Sequence, residues 1–202
     1  MKKLFHPTGI LIGIALLSIV FRLYHVTAPI ADWHSWRQSD TAAVARNFQT
    51  FGVDLLHPRY DDLSNIQSGK DNPNGWRMVE FPLYQGVAVA LNSVFPRLSL
   101  ETSLRLVSIA ATSGSIFLLG ILMLELVGPA ASILGAVLYA VLPFSMYYGR
   151  TILPDAFATF WALLTLVILL NSGQKRFWVL WVVFAGATAA ISVLVRPMAI
   201  FL

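Results

Sequence analysis

Leu106-Val-Ser-Ile-Ala-Ala-Thr-Ser-Gly-Ser-Ile-Phe-Leu-Leu-Gly-Ile-Leu-Met-Leu124 runs for nineteen residues without a charge. As a helix it is long enough to cross a hydrocarbon core of about 30 Å. Three further charge-free stretches, Leu126 to Gly149, Ala156 to Gln174 and Phe177 to Val195, have the same property, and the apolar run Thr8 to Val26 makes a fifth span. With 57% hydrophobic and 12% charged residues and a mean hydropathy of +0.70, the chain is too apolar for a soluble domain. The expected fold is an all-α integral membrane protein. After Arg196-Pro197 a new apolar stretch, Met198 to Leu202, reads as the start of a sixth span and marks the chain as the amino-terminal part of something longer.

The first run follows Met1-Lys2-Lys3 and could pass for a secretion signal. It is long, however, and lacks a clear small-x-small cleavage site, so it reads as a retained helix. Beyond it, Thr27 to Ser103 is polar and holds eight of the ten acidic residues. Residues 83–95, between Pro82 and Pro96, are short and contain Gln85, Asn92 and Ser93, which suits an interfacial or re-entrant helix better than a span. Leaving that segment out gives four crossings between the basic pairs Lys2-Lys3 and Lys175-Arg176, so both pairs lie on the cytoplasmic side, as the positive-inside rule asks. The polar loop and the Tyr148 to Asp155 loop then face the extracytoplasmic side together. The division that follows is a first transmembrane helix (1–26), an extracytoplasmic loop (27–103) with juxtamembrane helices at about 39–51 and 82–96, and a bundle (104–202). Within the bundle, helices are expected at about 104–126, 128–148, 155–173 and 177–195, with a further one starting at 197.

The chain has no cysteine, which excludes disulfides, thiolate metal sites and cysteine nucleophiles. Its net charge of +4 is spread among loops, with no basic stripe suited to nucleic acid. Carboxylates beside hydrocarbon are costly unless they face a cavity, a partner or a ligand, so they are the natural candidates for chemistry. Asp40 lies in Asp32-Trp-His-Ser-Trp-Arg-Gln-Ser-Asp40-Thr-Ala-Ala-Val-Ala-Arg46-Asn-Phe48, an amphipathic pattern with Val44, Phe48 and Phe51 at helical spacing and Ser39 or Asp40 as cap. The same segment also reads as an interfacial helix anchored by Trp33 and Trp36. Glu80, in Trp76-Arg-Met-Val-Glu80-Phe-Pro-Leu-Tyr84, stands between apolar residues, and Asp155, in Arg150-Thr-Ile-Leu-Pro-Asp155, opens a span. Both could equally be charges favoured by a helix dipole. Arg150 would serve Asp155 as ion-pair partner or act as an anion clamp. His34 and His57 read more simply as loop histidines than as ligands.

These segments together resemble the membrane glycosyltransferases of the GT-C fold, specifically the protein O-mannosyltransferase and lipid A aminoarabinose transferase group. Ala42-Ala-Val-Ala-Arg46 resembles the end of the family's Asp-Glu-x-x-Tyr-Ala-x-x-Ala-Arg motif, Val79-Glu80-Phe-Pro-Leu-Tyr84 its Tyr-Phe-Glu-Lys-Pro-Pro-Leu motif, and Gly149-Arg-Thr-Ile-Leu-Pro-Asp155 the short outer loop that ends in an Asp. Leu194-Val-Arg-Pro-Met198 looks like the family's basic residue before its next span. One departure is clear. Alignment on Ala45-Arg46 puts Arg37 and Gln38 where the family has its Asp-Glu pair, and Asp40 follows on roughly the same helix face.

The resemblance implies a GT-C-like bundle with a large extracytoplasmic first loop. The implied activity is transfer of a sugar from a polyprenyl-phosphate donor to a lipid, glycan or protein acceptor, in a multi-pass protein of the bacterial plasma membrane. It implies Asp40 as general base, with Glu80 and Asp155 as further catalytic carboxylates. Arg150, Arg37, Arg46, Tyr84 and Lys70 are the candidate substrate-binding residues, and Arg59 is a further basic residue of the loop. A divalent cation shared by Glu80, Asp155 and His57 stays open, because no local ligand spacing supports one. Two other readings stand beside this one: a transporter or lipid-handling protein using the same carboxylates, and an inactive fragment of the enzyme. Transporter sites usually lie near the bilayer midplane, whereas these acids cluster at one surface.

Overall fold

A computed structural model describes residues 7–65, 69–173 and 177–201. It is all-helical. The elements are α1 (Pro7–Arg22), α2 (Ser35–Phe51), α3 (Leu83–Val94), α4 (Leu100–Leu126), α5 (Pro129–Val141), α6 (Pro143–Tyr148), α7 (Asp155–Ser172) and α8 (Trp178–Val195), followed by a 3-10 turn, Pro197–Phe201. Among the described residues no strand forms, only an isolated antiparallel bridge between Arg59 and Trp76. Lys2, Lys3, Lys175 and Arg176, on which the charge-based topology rests, lie outside the described residues.

The long helix α4 is the spine, packing against α1, α3, α5 and α7, while α8 packs on α7 and α2 on α3. Its start is set by Ser99, whose Oγ accepts from the Thr102 amide at 3.1 Å and so occupies one of the unpaired donors of the first turn. Small residues let neighbours in close. A Cβ on Gly114 would fall 2.7 Å from the Phe160 ring, and one on Gly120 would fall 2.6 Å from Leu11. Hydroxyls join the helices where the apolar surroundings offer no water: Ser18 with Ser113 at 2.9 Å, Thr165 with Thr188 at 2.8 Å, and Ser192 to the Ala158 carbonyl at 2.8 Å.

Among the described residues three helices, α4, α7 and α8, are each long and apolar enough to cross a membrane by themselves; α1 and α5 are apolar but shorter. The uncharged run Leu126 to Gly149 is therefore not one helix. Pro143 has no amide proton to give the Tyr139 carbonyl, and the run divides at Leu142–Pro143 into α5 and α6. The carbonyls freed at the break are taken by Arg22, which is fully buried at the end of α1. Its Nη2 donates to the Tyr139 carbonyl at 3.4 Å and to Ser145 Oγ at 2.8 Å, and its Nη1 donates to the Ala140 carbonyl at 3.3 Å.

In the polar loop, α2 begins four residues before Ser39, with His34 as the capping residue in a left-handed conformation at φ 58°. Neither Ser39 nor Asp40 caps it. Both lie inside the helix, so the Asp40 carboxylate is available for a partner on another segment. The apolar floor under this loop is formed by Ala42 and Ala45 of α2, Tyr84 and Ala88 of α3, Leu104 and Val107 of α4, and Ile152, Phe157 and Val195. Five segments of the chain thus converge beneath one surface.

Candidate functional site

Above that floor the structure gathers carboxylates and guanidinium groups from four segments. The Phe81 amide donates to the Leu194 carbonyl at 2.9 Å, which ties the stretch before α3 to the last turn of α8 and brings Glu80 to Arg196. Arg37 Nη2, on the first turn of α2, donates to Glu80 Oε2 at 2.6 Å, and Arg196 Nη1 lies 3.7 Å from the same oxygen. Arg196 Nε lies 2.9 Å from Asp155 Oδ1 at the start of α7. Alongside, Arg77 Nη1 lies 3.0 Å from Asp40 Oδ2. Three acids are matched by three guanidiniums.

Loop chemistry aims Arg77. The Tyr60 amide donates to the Gly75 carbonyl at 2.9 Å and the Arg77 amide to the Pro58 carbonyl at 2.9 Å, while Asn72 closes the turn by accepting from the Trp76 amide at 2.8 Å. Gly75 sits at φ 62°, and a Cβ there would come within 2.7 Å of the Tyr60 carbonyl oxygen, so the turn needs glycine. The Arg77 guanidinium then lies 4.8 Å over the Tyr60 ring as well as against Asp40.

The three carboxylates differ in access. The Glu80 side chain is 5% exposed, that of Asp40 29% and that of Asp155 49%. Burial pushes the Glu80 carboxyl above its ordinary 4.5, against the opposing pull of Arg37 first, then Arg196 and Arg77. A folded-state pKa above the unfolded one means that the native state holds this proton more tightly. The stability it confers is therefore full below about 4.5 and is lost as pH rises through the raised value. Glu80→Gln should remove this dependence. Thermal unfolding of the two proteins in detergent from pH 4 to 7 would show it as a gap closing towards acid; parallel curves would contradict the assignment.

The other residues marked by the sequence lie elsewhere. Arg150 donates to the Tyr24 carbonyl, with its guanidinium 5.7 Å from the Tyr24 ring. Arg46 pairs with Asp61 at 3.1 Å and approaches Glu101 at 4.0 Å. Tyr84 is fully buried, donating to the Leu104 carbonyl at 2.8 Å, and Lys70 is exposed in the loop. His57 faces Asp54 at 3.0 Å and not Glu80 or Asp155. Among the described residues no group of three metal-ligating side chains forms, and Glu80 and Asp155 share a guanidinium; this set does not fit a divalent cation. Sequence reasoning missed Arg77 as the partner of Asp40, although its position three residues before Glu80 was a usable signal.

Two grooves flank the cluster. One of about 280 Å³ is lined by Leu55, Leu56, Met78, Phe81, Pro82 and Leu194 with Glu80 at its side. Another, of about 130 Å³, lies between α4, α5, α6 and α7, with Asp155 among its lining residues.

A family model for dolichyl-phosphate-mannose-protein mannosyltransferase matches residues 82–202, more than half of the chain, and the chain belongs to that family. No curated protein and no solved structure matches it. Membership makes it a membrane glycosyltransferase of the GT-C type.

Proposed function

We propose that the chain transfers a sugar from a polyprenyl-phosphate donor to a lipid, glycan or protein acceptor on the extracytoplasmic side of a bacterial plasma membrane. The observation that carries this reading is the meeting of Asp40, Glu80 and Asp155 with Arg37, Arg77 and Arg196 beside an apolar groove. An isoprenoid phosphate needs both features, an apolar channel for its chain and guanidinium forks for its oxygens.

In the reaction an acceptor hydroxyl oxygen attacks the anomeric carbon, the bond from that carbon to the phosphate oxygen breaks, and the configuration inverts. Asp40 takes the hydroxyl proton. Arg77 and Arg196 receive the negative charge that develops on the departing phosphate. Glu80 is too enclosed to meet an acceptor; it holds Arg37 and Arg196 in place. Asp155 is accessible and orients Arg196, with room to accept a hydrogen bond from the sugar. When the donor phosphate engages Arg77, that guanidinium leaves Asp40, which becomes free to act as base.

Vesicles carrying the chain and polyprenyl-phosphate [14C]mannose test the activity. Label should move from the donor into another lipid, glycan or protein fraction; if no polyprenyl-phosphate sugar loses its sugar, the reading fails. The lack of cysteine allows a separate test of side. Single cysteines in place of Asn74 and Gly173, both exposed, should react with an impermeant thiol reagent in intact cells only at position 74. Labelling at 173 with protection at 74 would put the site in the cytoplasm.

A further inference from the structure

Gln38 stands where the resembling family has the glutamate of its Asp-Glu pair, yet it touches none of the three carboxylates above. It is fully buried, and each of its polar atoms is engaged. Nε2 donates to Asp32 Oδ1 at 2.7 Å and to the Trp33 carbonyl at 3.0 Å, while Oε1 accepts from the Ile152 amide at 3.1 Å. Its flanking residue Arg37 and the nearby Asp40 reach the site from α2, and Ile152 lies three residues before Asp155. The Gln38 side chain is thus a direct polar link between the helix that carries the base and the loop that starts α7.

We infer that Gln38 is the positioning residue that sets α2 against the start of α7, fixing Asp40 and Arg37 relative to Asp155. This rests on the glycosyltransferase reading for its effect on rate, though not for its effect on geometry. The link requires an amide. One end must donate, towards a carboxylate, and the other must accept, from a main-chain N–H. Glutamate matches glutamine in size and can accept from Ile152, but its other oxygen would face the exposed Asp32 carboxylate with a like charge and the Trp33 carbonyl with a second acceptor. The family's own residue type is therefore the damaging one here, most of all while Asp32 carries its charge. Changing Asp32 to asparagine supplies the missing donor from the opposite side, and the hydrogen bond re-forms with its direction reversed.

The experiment compares the full chain with Gln38→Glu, Asp32→Asn and the double variant. Gln38→Glu should lower kcat about 100-fold, the loss that a displacement on the order of 1 Å produces, with donor KM changed far less. Asp32→Asn alone should stay within about 3-fold, because its amide oxygen still accepts from Gln38. The double variant should regain at least 10-fold of the loss. Spin labels at Ser39→Cys and Thr159→Cys report the α2 to α7 separation without any substrate: the distance distribution should broaden in Gln38→Glu and narrow again in the double variant. A Gln38→Glu protein as fast and as sharply distributed as the parent overturns the inference, and so does a double variant no better than the single. If the parent transfers no sugar while the distances follow the expected pattern, the glycosyltransferase reading has failed and the positioning role has not.

Discussion

Asp40→Asn should leave the chain inserted and helical and reduce turnover about 10²- to 10⁴-fold, the range that removal of a general acid or base spans. Asparagine keeps the shape of the side chain, and its oxygen can still accept from Arg77, now 3.0 Å from the carboxylate, so the loop turn that holds Arg77 has no reason to move. The capacity to take a proton is gone, and with it the charge that pairs with Arg77. The loss should fall on kcat, while donor KM should hold or fall, because Arg77 must leave Asp40 to meet the donor phosphate and a neutral amide holds it less firmly than the carboxylate does. Initial rates at several donor concentrations separate the two terms. Turnover within about 3-fold of the parent would remove Asp40 as the base and leave Asp155, the more exposed carboxylate, as the next candidate.

How much of this was legible in the sequence depends on the range of the interaction. The long uncharged runs that became α4, α7 and α8 declare themselves, because a membrane helix satisfies its backbone within its own residues. Glu80 and Asp155 stood out for the same local reason, as charges beside apolar neighbours. The division of Leu126 to Gly149 was also written locally, in Pro143, but what makes the break tolerable is Arg22, more than a hundred residues away. Partnerships were the hidden part. Arg150 is close to Asp155 in sequence yet turns to Tyr24, while Arg196 arrives from the end of α8 because Phe81 and Leu194 share a main-chain hydrogen bond. Tyr84 lies in a motif-like stretch and stood as a candidate substrate-binding residue, but the pitch of α3 turns it inward onto Leu104 and Ser108. Gln38 looked like a departure from a motif; only the fold shows that its amide spans two segments.

Arg196 is the residue whose loss should reach furthest, since it is the only guanidinium in the described cluster that meets two of the carboxylates, at 2.9 Å from Asp155 and 3.7 Å from Glu80. Removing one preorganised donor of this kind costs about 10²- to 10³-fold in kcat, and Arg196→Ala should fall at or beyond the lower figure because Asp155 loses its orienting partner at the same time. Glu80 would keep Arg37 at 2.6 Å, so the loop should remain folded. Lysine is the informative replacement. It restores the charge but has a single nitrogen where arginine presents a planar fork, so it cannot address Asp155 through one nitrogen and Glu80 through another. Arg196→Lys should therefore recover donor affinity more than turnover, giving a KM near the parent value with kcat still depressed about 10-fold or more. If lysine restored kcat fully, a point charge would suffice at this position and the bridging of Glu80 to Asp155 would have no part in the rate. If instead both variants kept parental kcat and KM, the phosphate would have to be held by Arg37 and Arg77 alone, and the proposed site would shift towards the α2 side of the cluster.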